Sequence, residues 1–439
     1  MQILSFLSIQ AQEYKGYDIG SYRLPDITRN ELDFSLNSNG DFYDYMKSEG
    51  VSGAIDGDFK VGFNRYRNAR SFRGKQNAEF SISGDYRKNA IGEKNSKYVL
   101  GLFYNNSSRF YGGDCEGLFF EMGGNFSFHM TGIRQFGEVE RESKNTSKDV
   151  ALGIPLRMGK GRIERVEDAR QAIYILENLS KRKVLNRRLT DDEIDEFTRL
   201  ISTVKNKRFF DARLRMIDEV TAVDSFLVRS GALASGGAAY FTTLYDYWMY
   251  GDLFERKSGT EISGGIRPGF SYGKYDNPAP DAYDSRTKIP SISADIRLDY
   301  ERPLNLYWQN SAWVFLSGNY MRRNYENLAP AESKSKEDSY GARLSGHYAF
   351  GYYPNSRTNI NLGIGETVGW DKREWDTRKE SQSYVSTNTS LTLDMYYYFS
   401  PQLRLAAEAR LDHYYIDDKE TDYARWYGNF ALTLTYSLF

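Results

Sequence analysis

The sequence of 439 residues contains few of the residues that build redox and metal sites. Its one cysteine, Cys115, excludes an internal disulfide framework and a cysteine-rich metal site. Three histidines, His129, His347 and His413, are too few for a histidine-rich metal centre. The 58 basic and 59 acidic side chains leave a formal charge of −1, so net charge provides no bulk attraction to nucleic acid. We therefore expect no metal and no cofactor.

The chain also lacks any apolar run of about 18 residues, and its mean hydropathy is −0.63, which together exclude a membrane protein built from helices. It is rich in aromatic residues instead, with 35 Tyr, 26 Phe and 6 Trp, and it has only 10 Pro. So many rings exclude a disordered chain, and the low aliphatic content argues against a large parallel α/β enzyme.

The C-terminal half alternates between apolar and polar residues with the period of two that is typical of strands. The alternating segments run for 10–14 residues, carry charges on the polar side and end in aromatic residues. These features favour a membrane β-barrel over a soluble sandwich, because soluble strands are usually about 5–6 residues long. The residues predicted to face lipid include Ile292, Ile296, Leu298, Leu405, Leu411, Leu432 and Leu434.

We predict an all-β transmembrane barrel of about 14 antiparallel strands with an inserted α-helical domain. Eight strands follow residue 258, near 260–274, 290–301, 309–322, 339–353, 358–370, 386–399, 402–415 and 427–439. The earlier candidates are 31–38, 52–66, 76–88, 96–107, 118–140 and 147–159. Counts of 12 and 16 stay open, because 110–140 fits either one long strand or two short ones.

Short turns alternate with long polar links at 275–289, 324–337, 371–384 and 416–425, and the chain ends in Phe439. On these features the sequence resembles Gram-negative outer-membrane β-barrel proteins, porin-like and of a Bacteroidota type with a periplasmic helical insertion. The resemblance implies an outer-membrane location, contact with outer-membrane lipid and insertion by the barrel-assembly machinery. The alternate apolar residues, Leu438 among them, are one step out of phase with the terminal Phe. The C-terminal motif alone therefore does not ensure insertion by the barrel-assembly machinery.

Between about 162 and 255 the apolar period changes from two to 3.6, which predicts helices. The expected helices cover 166–183, a segment that follows the capping box Thr190–Glu193, roughly 207–229, and 238–250. Helices do not fit into a barrel wall, and the alternation of short and long connections places this block on the periplasmic side. It is a lid, a plug or a docking domain, tethered near Gly159–Gly161 and Gly251–Gly259.

The predicted organisation has four parts. Residues 1–11 read as the tail of a signal peptide without its basic start, and the mature chain begins near residue 12. Residues 12–161 form the N-terminal part of the barrel, 162–256 the helical insertion and 257–439 the last eight strands.

The charges of the lumen suggest a channel for passive or gated passage of small polar solutes, although the same charges would suit a sealed, salt-bridged filling. The candidate pore-lining residues are Arg267, Arg297, Asp299, Arg343, Asp394, Arg404, Glu408, Arg410 and Asp412. A structural or assembly barrel whose helices dock an envelope partner is the alternative. The candidate partner-binding residues are Lys181, Arg182, Lys183, Arg187 and Arg188, and the compartment excludes nucleic acid.

An enzyme is the remote alternative, because Ser345 and His347 share one face of a strand, as a barrel hydrolase would require. The alternation points both side chains into the lumen, away from the bilayer, and no acidic or amide partner is identifiable. We expect an ordinary polar pair and no enzymatic activity.

Overall fold

The computed structural model describes most of the chain. The described residues are 14, 16–44, 51–113, 117–137, 142–206, 212–234, 236–251, 254–277, 284–329, 331–376, 379–400, 403–418 and 421–436. The predicted signal segment 1–11, Cys115 and the terminal Phe439 lie outside them.

Long antiparallel strands form one continuous sheet. Before the helices the strands are β1 (Ile27–Asp44), β2 (Val51–Ala69), β3 (Phe72–Lys88), β4 (Lys94–Tyr111), β5 (Leu118–Phe136), β6 (Glu142–Gly153), β7 (Leu156–Gly161) and β8 (Glu164–Arg165). After them come β9 (Lys257–Asp276), β10 (Asp284–Pro303), β11 (Trp308–Ala329), β12 (Ser333–Asn355), β13 (Thr358–Trp375), β14 (Glu380–Tyr398), β15 (Leu403–Asp418) and β16 (Thr421–Tyr436).

Fourteen of these strands follow one another in the sheet as β1–β6 and then β9–β16, so the predicted fold class and strand count are confirmed. The segment 118–140 holds one long strand, β5. The prediction of one strand at 147–159 is wrong, because β6 stops at Gly153 and β7 starts at Leu156, and both pair with β9. Pro155 lies at the break, where it has no N–H to give to a ladder.

The strands are longer than predicted. β1–β5 and β9–β16 contain 16–23 residues, and much of each predicted long link belongs to a strand. The link predicted at 324–337, for example, is covered by β11 to Ala329 and by β12 from Ser333. An antiparallel ladder needs no apolar face once both of its faces meet water, so polar hairpins extend beyond the apolar band.

The polar face of the sheet is concave. Arg73 on β3 and Arg109 on β4 both form ion pairs with Glu261 on β9, although strands β5 to β7 lie between them in the sheet. The sheet therefore curls into a barrel wall around a polar lumen. Among the described residues β1 pairs with β2 and β16 with β15, so these two strands are the edges of the described sheet.

The convex face carries the apolar residues. Ile292, Ile296, Leu298, Leu411, Leu432 and Leu434 are all exposed on it, and Leu405 is partly exposed. Among the described residues no equivalent apolar band lines the lumen, where Glu261, Asp295 and Asp412 are buried against neighbouring polar groups. The outward apolar band is the surface that a bilayer would cover.

Four helices lie between β8 and β9: α1 (Glu167–Lys181), α2 (Asp191–Asn206), α3 (Ala212–Arg229) and α4 (Ala238–Tyr250). Their apolar stripes meet in the core of the molecule, which contains Ile173, Leu176, Phe197, Ile201, Val223, Leu227 and Trp248. The N-terminal segment adds Tyr14, Ile19 and Tyr22 to this core. We call residues 162–256, which include these four helices, the floor. No helix in the described part of the chain is long and apolar enough to cross a membrane.

The capping box before α2 forms as the sequence predicts. The Thr190 N–H donates to Glu193 Oε2 at 2.8 Å, and the Glu193 N–H donates to Thr190 Oγ1 at 3.3 Å. Arg187 also donates to both Glu193 oxygens, and these hydrogen bonds lower the pKa of Glu193 to about 2.

Candidate lumen and helical floor

The floor lies against one end of the barrel wall, where the strands are joined by short turns. It contacts the turns after β2, β10 and β12, and Tyr250 of α4 packs on Tyr398 at the end of β14. These turns belong to strands spread around the sheet. The floor therefore spans the short-turn mouth of the barrel. We call this end the short-turn rim.

Arg256 is the main anchor between floor and wall. Its side chain is 1% exposed and donates to the carbonyl oxygens of Leu306 (2.9 Å), Asn305 (3.0 Å) and Trp308 (3.0 Å), and to Gln309 Oε1 (2.8 Å). Burial and the nearby Arg170 lower the pKa of Arg256 to about 10, which leaves it charged at neutral pH. A buried guanidinium satisfied by four acceptors holds the β10–β11 turn firmly.

Other contacts hold the floor at the turn between β12 and β13. Tyr174 of α1 donates from its hydroxyl to the Tyr353 carbonyl at 3.1 Å, and Arg357 forms an ion pair with Asp246 of α4. Burial raises the pKa of Tyr174 to about 12, so this hydroxyl stays a donor across the physiological range. On the far side, Arg162 donates to the carbonyl oxygens of Ala69 and Arg70 in the β2–β3 turn.

The two chain segments that join the floor to the wall pass very close to each other. Gly161 has a φ of +96° and Gly259 a φ of +131°. A Cβ at Gly161 would lie 2.0 Å from the Thr260 carbonyl oxygen, and one at Gly259 would lie 2.2 Å from that of Arg162. Both conformations and both contacts require glycine, so these tethers have a defined geometry.

A buried ion network lines the lumen directly above the floor. Arg109 pairs with Glu121 and with Glu261, while Arg73 donates to Glu261 at 3.2 Å and to the Ile163 carbonyl at 3.0 Å. Sequence reasoning missed these residues. The signal for Glu261 was its alternation with Ile262, but its partners Arg73 and Arg109 lie on β3 and β4, and their approach depends on strand register.

A cavity of about 890 Å³, which we call the floor chamber, opens beside this network. Its lining is mixed in charge and mostly polar, and includes Glu31, Asn64, Tyr66, Arg73, Lys75, Asn77, Asn105, Ser107, Arg109, Glu164, Arg165, Lys257, Glu261, Arg297, Asp299, Glu301 and Trp313. Since Ile163 to Arg165, Glu255 and Lys257 line it too, the two tethers of the floor form part of its boundary.

The predicted pore-lining residues share the polar face of the wall. Arg297 and Asp299 form an ion pair at 2.7 Å along β10, and Arg410 and Asp412 form one at 2.6 Å along β15. Each pair lies along one strand and does not cross the lumen. Asp394 and Glu408 are directly opposite each other on β14 and β15.

The remaining predicted lumen residues are spread around the wall. Arg267 lies on β9 beside Gly153, Arg343 on β12 beside Gly369, and Arg404 on β15 interacts with Tyr396 and Tyr398 of β14. The structure therefore does not gather the nine predicted residues into one site.

The predicted partner-binding residues occupy the end of α1 and the α1–α2 loop. Arg187 is engaged with Glu193 at 2.6 Å, Arg188 lies 3.5 Å from Asp191 and over the Tyr14 ring, and Lys181 lies 4.0 Å from Glu177. Arg182 faces a cavity between α4 and the β12–β13 turn. Lys183 is exposed and follows α1 with a φ of +57°. The five residues form a loop surface partly engaged within the floor.

Ser345 and His347 lie on the lumen side of β12. Ser345 is buried and accepts a hydrogen bond from Thr367 at 3.1 Å, whereas the His347 ring stacks on Trp313 at 6.0 Å. Across the described residues, no group of three or more His, Cys, Asp or Glu side chains is arranged to hold a metal ion.

No family model matches the chain, and no curated protein matches it. Among solved structures it is similar to the translocator domain of the autotransporter NalP from Neisseria meningitidis, with 7% identity, a TM-score of 0.29, and coverage of 79% of this chain and 86% of that one. It is also similar to the ferric yersiniabactin uptake receptor FyuA from Yersinia pestis, with 7% identity, a TM-score of 0.37, and coverage of 91% and 62%. The TodX monoaromatic hydrocarbon channel, in its deltaS2 mutant, gives 8% identity, a TM-score of 0.30, and coverage of 95% and 91%.

The architecture of this chain is that of an outer-membrane β-barrel. Its own wall shows this, with fourteen antiparallel strands in chain order, an apolar convex face and a polar lumen. The fold predicted from the sequence is confirmed by this wall.

Proposed function

We propose that the chain is a porin-like channel for small polar solutes and that its floor gates the periplasmic mouth. One observation carries the proposal: the floor is anchored to turns spread around the short-turn rim, directly beneath a polar chamber of about 890 Å³. The Arg297–Asp299 and Arg410–Asp412 ion pairs run along single strands and do not cross the lumen, and a charged wall favours polar solutes.

The periplasmic placement of the floor is supported by the opposite end of the wall, where polar hairpins extend beyond the apolar band as the outer loops of such barrels do. Exposed positions at both ends allow a test in a Cys115→Ser background. An impermeant thiol reagent on intact cells should label Ser333→Cys on β12 and should not label Ser225→Cys on α3. The reverse pattern would place the floor outside the cell.

A reducible bridge across the rim tests gating. Asp246 and Arg357 are in contact through the length of the arginine side chain, so Asp246→Cys with Arg357→Cys, in the Cys115→Ser background, should be joined by a short bis-thiosulfonate reagent that forms a disulfide at each cysteine and links α4 to the β12–β13 turn. We expect low conductance in planar bilayers while the bridge is oxidised and a rise after reduction. Equal conductance before and after reduction, with the bridge verified by mass spectrometry, would contradict a gate at this turn.

Loss of the main anchor gives an independent test. Arg256→Gln removes most of the donors that hold the β10–β11 turn, and deletion of 165–255 removes the floor itself. Both changes should raise conductance and antibiotic sensitivity while the wall still folds. Arg199→Gln, an exposed arginine of α2, is the matched control and should change neither.

The second candidate is an assembly barrel whose floor docks an envelope partner. It is favoured by exposed apolar side chains on the floor, with Ile217 and Val228 on α3 and Phe241 and Tyr245 on α4. If this candidate is right, deletion of 165–255 should leave conductance unchanged and abolish a pull-down partner. The loop with Lys183 would then be the basic part of the contact, and in neither candidate do Ser345 and His347 act as a hydrolase.

A further inference from the structure

Four asparagines form one row on the lumen side of the wall. Asn64 on β2 is directly opposite Asn77 on β3, Asn77 is opposite Asn105 on β4, and Asn105 is opposite Asn125 on β5. We call this row the asparagine ladder. Three of its members line the floor chamber, and Asn125 lines a neighbouring cavity of about 430 Å³. The ladder thus connects two cavities of the lumen.

The hydrogen bonds of the ladder leave an opening at its centre. Asn77 Nδ2 donates to Asn64 Oδ1 at 2.6 Å, and Asn125 Nδ2 donates to Asn105 Oδ1 at 2.8 Å. Within the described residues, the side chains of Asn77 and Asn105 are not hydrogen-bonded to each other. The Asn77 oxygen and the Asn105 amide nitrogen therefore lie on adjacent strands as an acceptor and a donor that face the lumen.

An acceptor beside a donor suits a hydroxyl group, which both donates and accepts. The neighbouring cavity is lined by apolar residues and by uncharged polar groups, among them Ser127, Ser271 and Asn319, and Arg267 is its one charged residue among the described ones. Phe103 in that cavity and Trp313 in the floor chamber add rings on which an apolar sugar face can lie. Such lining matches a neutral polyhydroxylated molecule better than an ion.

We propose that the asparagine ladder binds neutral polyhydroxylated solutes, that is, sugars, as they pass along the wall toward the floor. The proposal deepens the channel function proposed above and rests on it for the direction of passage. Binding itself does not depend on passage, because the ladder and both cavities lie within the folded wall.

The test measures binding and passage separately on the full chain. Maltotriose is titrated into the folded protein in detergent micelles by calorimetry, and in planar bilayers its effect on the ion current is recorded. Asn77→Leu with Asn105→Leu should weaken maltotriose binding at least about tenfold, the effect of losing roughly 1.4 kcal/mol of hydrogen bonding. Asn429→Leu, on the same face at the β16 edge, should bind as the parent does.

A milder variant separates a loss of binding from a folding defect. Asn105→Asp keeps the size of an exposed side chain and removes its donor, and it should also weaken binding while the heat-resistant folded band on gels is retained. No maltotriose binding by the parent, or equal binding by the parent and the leucine double variant, would overturn the ladder as a sugar site. Binding without conductance in any variant would overturn the channel function and leave the ladder supported.

Discussion

Thr389 on β14 donates a hydrogen bond of 2.5 Å to Glu366 on β13, and both side chains lie on the convex, apolar face of the wall. Glu366 is flanked along its strand by Ile364 and Val368, both exposed on the same face. A carboxylate in this band is unexpected, because a bilayer offers it no water. The Thr389 hydroxyl partly replaces that water.

Replacing Glu366 by leucine should stabilise the barrel. A basic residue facing lipid at mid-bilayer costs about 2–4 kcal/mol and an acidic one less, so Glu366→Leu should raise the free energy of unfolding by about 1 kcal/mol. Urea titration of the protein in lipid vesicles measures this. Glu366→Gln, which can still accept from Thr389, is the matched control and should give a smaller gain. A loss of stability in the leucine variant would show that the carboxylate has a favourable partner at this surface.

Adjacent residues on β15 test which face meets lipid. Leu405 lies on the convex side and Arg404 on the lumen side. Leu405→Arg and Arg404→Leu therefore exchange the same two residue types in opposite environments. Leu405→Arg should cost up to about 2–4 kcal/mol, less if the site lies near the rim, whereas Arg404→Leu should cost much less. Folding yield and urea midpoints in vesicles provide the comparison. Equal stability of the two variants would reverse the assignment of the faces.

The faces of the wall were predictable because side chains alternate along every strand, whatever strand lies next to it. Ile296 and Arg297 can be placed on opposite faces from one segment alone. The floor was predictable in the same way, since Phe197, Ile201 and their neighbours repeat at helical spacing. Local periodicity is sufficient to predict the two faces of the wall and the helices of the floor.

Contacts between strands could not be predicted from local sequence patterns. The asparagine ladder depends on the register of four strands, and that register depends on how far each hairpin extends. Since the polar links turned out to be mostly strand, spacing along the sequence could not align Asn77 with Asn105. Arg256 is a comparable case, because a single arginine in a linker gives no sign of the turn that it binds.

Alanine at either tether glycine should loosen the floor. Gly161 and Gly259 have positive φ values, and a Cβ at either would meet a backbone carbonyl within about 2 Å. Gly161→Ala and Gly259→Ala should each lower the stability of the floor by more than about 1–2 kcal/mol, the cost of the backbone conformation alone. Hydrogen exchange of the helices measures it. Gly236→Ala, with open space around its Cβ, is the control and should exchange at the parental rate.

Two neighbouring acids at the start of α1 should give the floor opposite responses to pH. Burial raises the pKa of Asp168, but Lys205 at 2.8 Å and Ser202 at 2.6 Å outweigh it, so the pKa lies below its usual value. Burial also raises the pKa of Glu167, and Arg165 offsets this only in part, so that pKa lies above its usual value. The Asp168 carboxylate therefore stabilises the folded floor, and the Glu167 carboxylate destabilises it.

The signs follow from linkage. Asp168 has a lowered folded pKa, so its contribution is present above the unfolded value of about 3.9 and is lost as pH falls through the folded pKa. Glu167 has a raised folded pKa, so its penalty is full at neutral pH and disappears as pH falls through that value. Asp168→Asn should therefore lower the stability of the floor at pH 7 by about 1–3 kcal/mol, and this loss should shrink as pH falls below the unfolded value of about 3.9. Glu167→Gln should leave the floor at least as stable at pH 7 and should flatten the gain in stability that occurs as pH falls from the raised folded pKa toward the unfolded value of about 4.3.

Urea unfolding followed by the helical circular dichroism at 222 nm reports on the floor, because the wall is built of strands. Glu196→Gln, at an exposed acid on α2, controls for the loss of one charge. A loss at pH 7 for Asp168→Asn that persists unchanged to pH 3 would contradict the ion pair with Lys205 as its cause. It would indicate instead that the asparagine disturbs the packing of α1 on α2.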